Sequence, residues 1–470
     1  MFAIAVCLGA LAAWHYARAG LTLSHYDARS HLVVARRVID SFTPGWRQFG
    51  AVWLPVPHIL NLLPVQWDWS YRTGFSGIAI SIGGLAWGLA AFAQYLVRHG
   101  ASIAAAVIAP LAILLNPDVL YLQSTPLTEA LLFGFSLGSL ASVDAWVGSG
   151  RARDGQRAGV WLTALVLTRY EGWLIGAALV ALGLIASRSP RTGAVPLVAY
   201  PATAVLAFMA LSFASTGVWL VTGGFFTPNN PARGSWVAAF SQVFAHTRAL
   251  AGPAIMLAGV AGVGAAVVRA AGSHARSLLP LALLAAAVLP LTAFHAGHPE
   301  RVRYMVAVAV AAAALAGLGL TLLPLRAQIF TAVAFLSVAL GVRPPLSTAA
   351  PMVTEAQWEL PFRNGRRAVT EYLRAHYDNQ PLMASMGSLA HYMQDLAAIE
   401  LPLRDFVHEG NGDLWRNAMA APRRYVGWIL IEEQALDGDM LARHVRRDTA
   451  FLAGFERVAS GGGLALYRAQ

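Results

Sequence analysis

Long apolar runs, interrupted by short arginine-bearing breaks, fill the first three quarters of the chain. Uncharged stretches cover 73–97, 99–117, 130–143, 158–168, 172–187, 192–232, 249–268, 277–299, 304–325 and 327–342. Several reach the roughly 20 residues that a helix needs to cross the hydrocarbon of a bilayer. With the first run, residues 2–17, they predict about eleven spanning or half-spanning helices. No basic segment precedes residues 2–17, so they read as a retained first span and not as a signal peptide. The runs 158–168 and 172–187 flank Arg169-Tyr170-Glu171 and predict two short helices or one broken one. The 192–232 run predicts one span plus a loop around residues 227–231. Beyond residue 342 the pattern changes. Residues 371–376 read as helix, 381–386 and 425–431 as buried strands, and 461–467 as a closing strand.

Composition sharpens this picture. Of 470 residues, 57% are hydrophobic and 12% charged, against about 25% charged in an ordinary soluble domain. That excludes a soluble enzyme, a disordered chain and a disulfide scaffold, and leaves a polytopic membrane protein. Residues 1–342 hold 20 arginines and 9 acids; residues 343–470 hold 14 and 15. The expected division is therefore an all-α membrane domain over 1–342, with an outer amphipathic loop at 23–70, and a small soluble α/β domain over 343–470. The tail shows no nucleotide loop, metal cluster or triad, so it reads as a domain for packing or acceptor docking.

All 34 basic residues are arginine. A GC-rich genome accounts for that, but every fixed cation can then make bidentate contacts to phosphate. No basic stripe with interleaved aromatics points to nucleic acid. The single cysteine, Cys7, excludes an internal disulfide and a thiolate metal site.

Arginine placement predicts orientation. With the N-terminus inside, Arg98, Arg151, Arg153, Arg157, Arg188, Arg191, Arg269, Arg276 and Arg326 fall in cytoplasmic loops. Residues 23–70, 123–128, 169–171, 296–303 and the tail domain then lie outside a plasma (inner) membrane. Residues 27–41 alternate Leu32, Val33, Ala35, Val38 and Ile39 with Arg29, His31, Arg36, Arg37 and Asp40, which predicts a helix lying in the interface. Trp46, Trp53, Trp67 and Trp69 supply an aromatic belt.

Acids at membrane level are costly, and they are paired or functional. Asp118, Glu129 and Glu171 sit at the outer ends of apolar helices, as do Arg169, Arg301 and Arg303. Together they predict a polar cavity for an anionic, lipid-linked ligand. Arg169 and Glu171 would not face each other on one regular helix, but a break lets them meet. His25, His31, His58, His295 and His298 lie near the outer face. Structural hydrogen bonding explains each of them; His58, in Pro55-Val56-Pro57-His58, is the best placed to face a cavity. No metal-ligand spacing is present, so metal dependence stays open and no cofactor is assigned. Asp27, in Ser24-His25-Tyr26-Asp27-Ala28-Arg29, can accept a proton from a hydroxyl. Taken alone it reads as a helix cap.

An acid directly after the first helix, opening an outer amphipathic helix, resembles the GT-C glycosyltransferases. The chain is similar to the dolichyl-phosphate-mannose protein mannosyltransferase and aminoarabinose transferase families. Further matching stretches are Phe49-Gly50-Ala51-Val52-Trp53-Leu54-Pro55-Val56-Pro57-His58, Ser124-Thr125-Pro126-Leu127-Thr128-Glu129, Thr168-Arg169-Tyr170-Glu171-Gly172 and Arg303-Tyr304. The resemblance covers most of residues 1–340, and the tail is similar to the soluble domain of many members. It implies a polyprenyl-phosphate sugar donor, an extracytoplasmic hydroxyl acceptor and an inverting transfer. It implies that Asp27 is the base and that Arg303, with Arg301, holds phosphate. Arg29, His58, Arg169, Tyr170, Glu171, His298 and Tyr304 then contact substrate. Many members have Asp-Glu where this chain has Asp27-Ala28, so the second acid's role falls to Glu129 or Glu171. A transporter or flippase for a lipid-linked or anionic solute is the rival reading. No second copy of the Asp27 or 169–171 pattern marks a repeated half. A non-catalytic envelope scaffold is the third reading.

Overall fold

A computed structural model describes residues 1–187, 193–221, 230–272 and 275–470. Arg188, Arg191 and residues 227–229 of the expected loop lie outside the described residues. Among the described residues, seven helices are long and apolar enough to cross a membrane: Phe75–Arg98, Glu129–Ser149, Ala194–Thr216, Pro253–Ala271, Ala275–His295, Val302–Leu320 and Leu325–Val342. The pair Ile103–Leu114 and Pro117–Gln123 bends by 77° and makes an eighth if taken as one span. Phe2–Arg18 and Glu171–Ala186 are apolar but shorter. The expectation of about eleven included such half-length runs.

The bend has a local cause. Pro117 disfavours helical geometry at Asn116, and the Asn116 side chain caps the new helix by accepting from the Asp118 and Val119 amides. Elsewhere Gly150, at φ 64°, takes the left-handed turn that ends Glu129–Ser149.

The chain divides into two compact units, Met1–Ala19 with Ala51–Pro57 and Ile78–Glu355, and Gly20–Gly50 with His58–Gly77 and Ala356–Gln470. In the first, Glu129–Ser149 is buried nearly all round, as expected of a helix apolar on every face. It runs close to Phe75–Arg98, where a Cβ on either Gly88 or Gly134 would collide with the facing backbone. Small residues permit such approach between membrane helices. Asp118, fully buried, accepts from Arg343 at 2.7 Å and from the Met352 amide at 2.9 Å. It ties the broken helix to the segment after Leu325–Val342, away from the charge cluster it was expected to join.

The second unit holds a five-stranded sheet in the order β2-β1-β3-β5-β4. Its strands are β1 Leu382–Ala384, β2 Phe406–Val407, β3 Trp428–Glu432, β4 Phe455–Gly461 and β5 Leu464–Ala469. β1 pairs in parallel with β2 and β3, and β5 runs antiparallel to β3 and β4. The expected helix and three strands are present; β2 and β4 were not foreseen, being very short and half-exposed respectively.

Most of the first outer segment, all but Ala51–Pro57, belongs to this unit. Leu32, Val33, Ala35, Val65 and Tyr71 share one core with Leu389, Tyr392, Leu403, Trp428 and Leu466. The helix Tyr26–Arg36 is therefore not interfacial: Asp27 through Ala35 are all buried. The tail supplies the apolar surface that a bilayer was expected to give, and each fully buried Leu or Val side chain contributes about 1.5–3 kcal/mol. The exposed apolar side chains of the segment are later ones, Leu63, Trp67 and Trp69 among them.

Candidate functional site

Two groups of the predicted residues take shape, one in each unit. The first forms at a helix break. The helix Ala152–Val166 ends, and Glu171–Ala186 begins five residues later. The opened backbone is satisfied nearby: Trp173 Nε1 donates to Val166 O at 2.8 Å, and the Val56 amide to Leu167 O at 3.0 Å. Tyr170 donates its hydroxyl to Val52 O at 3.0 Å, so its oxygen is turned to structure. Non-helical backbone at membrane depth requires such partners.

The break lets Arg169 and Glu171 meet, with Nη2 2.9 Å from Oε1. Arg169 Nη1 also donates to Thr128 Oγ1 at 3.2 Å and lies 3.0 Å from Glu129 Oε1. Arg303 Nη1 is 4.0 Å from the same oxygen, and its guanidinium lies over the Tyr304 ring at 5.5 Å. Glu129, Glu171 and Arg303 are buried. Two acids and two arginines thus converge, with charges balanced. One feature is unusual: neither Glu129 oxygen accepts a hydrogen bond among the described residues. Arg169 is at ion-pair distance but is not aligned. Buried carboxylates ordinarily use that acceptor capacity.

His298, in the loop before this arginine, bonds through Nδ1 to Pro299 O at 3.0 Å and packs edge-on to Tyr304. A carbonyl partner puts the proton on Nδ1 and leaves Nε2 as an acceptor. Burial first, and then the charges of Arg301 and Arg303, hold its pKa below the usual imidazole value. Arg301 is half-buried at the start of the same turn. Glu300 contacts His246 and accepts from Gln242 at 3.2 Å; His246, 54 positions away, carried no signal of this in sequence.

The second group surrounds Asp27. The His25 ring caps the helix, with Nδ1 accepting from the Asp27 amide at 3.1 Å. Asp27 is buried in the first turn, where a helix N-terminus favours an anion. His31, one turn on and on the same face, places Nδ1 3.0 Å from His58 Nε2, and both rings are buried. His58 is thus coupled to the Asp27 helix. Arg29 lies on the opposite face. Fully buried, it donates to Glu359 at 2.8 Å and to Asp395. Two carboxylates of its own unit hold it, whereas the resemblance assigned it to substrate.

Glu359 is shared further. Arg366 Nη1 and His391 Nε2 each lie 2.8 Å from its Oε1, and Arg366 also reaches Glu432 at 3.2 Å. Burial raises the Glu359 pKa. The hydrogen bond from His391 and the charges of His391, Arg29 and Arg366 outweigh it, leaving the carboxyl well below its usual range. Among the described residues, no three His, Cys, Asp or Glu side chains gather where a metal ion could be held.

No family model and no curated protein matches this chain. Solved structures do. ArnT from Cupriavidus metallidurans in the apo state aligns over 95% of this chain and 93% of its own, with a TM-score of 0.56 at 13% identity. The same protein bound to undecaprenyl phosphate aligns over 98% and 97%, with a TM-score of 0.52 at 14% identity. The chain therefore carries the GT-C fold, with the small sheet domain at its C-terminal end.

Proposed function

We propose that the protein is an integral membrane glycosyltransferase that moves a sugar from a polyprenyl-phosphate donor to an extracytoplasmic hydroxyl. The observation that carries the reading is Glu129: a buried carboxylate between Arg169 and Arg303 whose acceptor capacity is unspent. A sugar or acceptor hydroxyl can donate to it. The fold likeness to a protein solved with undecaprenyl phosphate supports the donor class.

In this reading Asp27 takes the proton of the acceptor hydroxyl as its oxygen bonds to the anomeric carbon. The bond from that carbon to the phosphate oxygen breaks, and the charge left on the polyprenyl phosphate is met by Arg303 and Arg301. Arginine suits that task through charge-assisted bidentate hydrogen bonds. A single displacement inverts the anomeric centre. Arg169 and Glu171 fix the position of Glu129, and His298 contacts the sugar. The protein belongs in the inner membrane with its C-terminal unit outside.

The test is transfer from polyprenyl-phosphate sugars by protein reconstituted in liposomes. Asp27→Asn and Glu129→Gln, each shown to be folded and inserted, are expected to lose transfer. Full activity in Asp27→Asn would remove the base from this account. Uptake of a labelled lipid-linked solute without any product would turn the reading to transport.

A further inference from the structure

The helix Glu129–Ser149 carries a second buried acid near its other end. Asp144 lies 15 residues from Glu129, about 22 Å along the axis. It is fully buried. Arg276 grips it with a two-point fork, Nε at 2.5 Å and Nη2 at 2.7 Å. His99 Nε2 lies 2.8 Å away and Arg98 Nε 3.5 Å. Around them, Arg157 lies within electrostatic reach of Arg98, and Arg269, which donates to Thr321 O at 2.8 Å, within reach of Tyr95. Two guanidinium groups thus reach one carboxylate, an excess of +1 before His99 is counted. Asp154, the other acid at this end, is taken by the Ser149 hydroxyl and follows Arg151 and Arg153 in sequence.

The cluster is built to hold these cations in place. The Arg276 guanidinium lies flat over Gly148, where any Cβ would collide with it. Its Nη1 has no hydrogen-bond partner among the described residues. Arg98 is anchored by Nη2 to Ala141 O at 2.7 Å, yet both arginine side chains stay about one third exposed. Membrane orientation depends on how many positive charges a loop holds; it does not require that they be fixed around a buried acid. The flanking side chains add a second requirement. Val97, Val160 and Val268, each within three residues of one of these arginines, are exposed.

We propose that this end of the bundle binds the phosphate of an anionic phospholipid, with its acyl chains along Val97, Val160 and Val268. The N–H groups that Asp144 and Ala141 leave over, Arg276 Nη1 among them, can donate to a phosphate, and basic pockets between membrane helices recognise such headgroups. The site is independent of the transfer reaction.

The experiment uses the whole protein in nanodiscs of neutral phosphatidylcholine, with and without phosphatidylglycerol. Native mass spectrometry is expected to show phosphatidylglycerol retained on the wild type, and the anionic discs are expected to raise its unfolding temperature. Each exposed arginine removed, in Arg98→Gln and Arg157→Gln, is expected to weaken retention about fivefold. Gly148→Ala, which dislodges the Arg276 fork, is expected to do the same and to lower the unfolding temperature in neutral discs as well, so its retention is read at a temperature where the variant stays folded. Equal retention by wild type and the Arg98→Gln/Arg157→Gln double variant would overturn the proposal. So would an equal thermal shift from inorganic phosphate in neutral discs, which would identify a free-anion site and no lipid site.

Discussion

Two networks of buried charge, one in each unit, use the same residue types to opposite ends. Around Glu359, every carboxylate is engaged by hydrogen bonds: Arg29, Arg366 and His391 reach Glu359, Arg29 and Arg363 reach Asp395, and Arg366 reaches Glu432. Around Glu129, two arginines approach a carboxylate that accepts no hydrogen bond among the described residues. A network whose carboxylates are all engaged leaves no acceptor for a ligand hydroxyl and fixes the elements that carry it, though Arg29 Nε and Arg366 Nε donate to nothing among the described residues. An unsaturated one bears a desolvation cost that a bound hydroxyl or phosphate can relieve. The contrast separates a clamp from a site more sharply than burial or charge does, since both groups are buried and nearly neutral.

The clamp has a purpose in the second unit. Arg29 and Asp27 lie on opposite faces of one helix. Holding Arg29 against Glu359 and Asp395 sets the rotation of that helix, and hence the direction of Asp27 and His31.

The sharpest way to break the comparison is to neutralise one acid from each network. Glu129→Gln is expected to lower transfer about tenfold to a hundredfold, with a smaller fall in unfolding temperature than Arg29→Ala. Transfer kinetics and thermal unfolding in one detergent measure both; a large loss of stability would make Glu129 part of a clamp. Arg29→Ala is expected to behave the other way. Removing one partner of a buried ion pair costs about 3–5 kcal/mol, and Arg366 and Arg363 hold the loss to the lower end. Hydrogen exchange in β1 and β3 should show it, with Arg29→Lys recovering part.

A smaller effect tests the membrane unit without touching either network. Gly134→Val pushes a side chain into the backbone of Phe75–Arg98. Overpacking of this kind costs about 1–3 kcal/mol and should appear as a lower unfolding temperature. The smallest effect is acid sensitivity of the second unit. His408 is fully buried with its Nδ1 accepting from the Gly410 amide, and burial, with Arg37 nearby, lowers its pKa well below the ordinary value. The unfolded chain takes up its proton near pH 6.5, and the folded chain resists. Stability is thus full above that pH and declines as pH falls below it. Exchange in the second unit should quicken on acidification, and His408→Asn should flatten the response.

Much of the fold was legible because a bilayer demands it. The apolar runs, the interruption at Arg169-Tyr170-Glu171 and the strands at Leu382–Ala384 and Trp428–Glu432 follow from local pattern. So does the meeting of Arg169 with Glu171, since a broken helix removes the spacing that keeps positions i and i+2 apart. The helix Tyr26–Arg36 was misjudged for the same reason. Its alternation of apolar and charged residues suits an interface and a protein core equally well, and only the partner decides.

The sequence by itself determined that the chain spans a membrane and which acids and arginines lie at helix ends, because the cost of charge in hydrocarbon restricts where they can stand. Tertiary structure decided what each one does. It gave Asp118 to Arg343, Asp144 to Arg276, and Arg29 to Glu359 across 330 positions, and it left Glu129 with hydrogen-bonding capacity unused. Ion pairing acts over a few ångströms of space, and distance along the chain does not encode it.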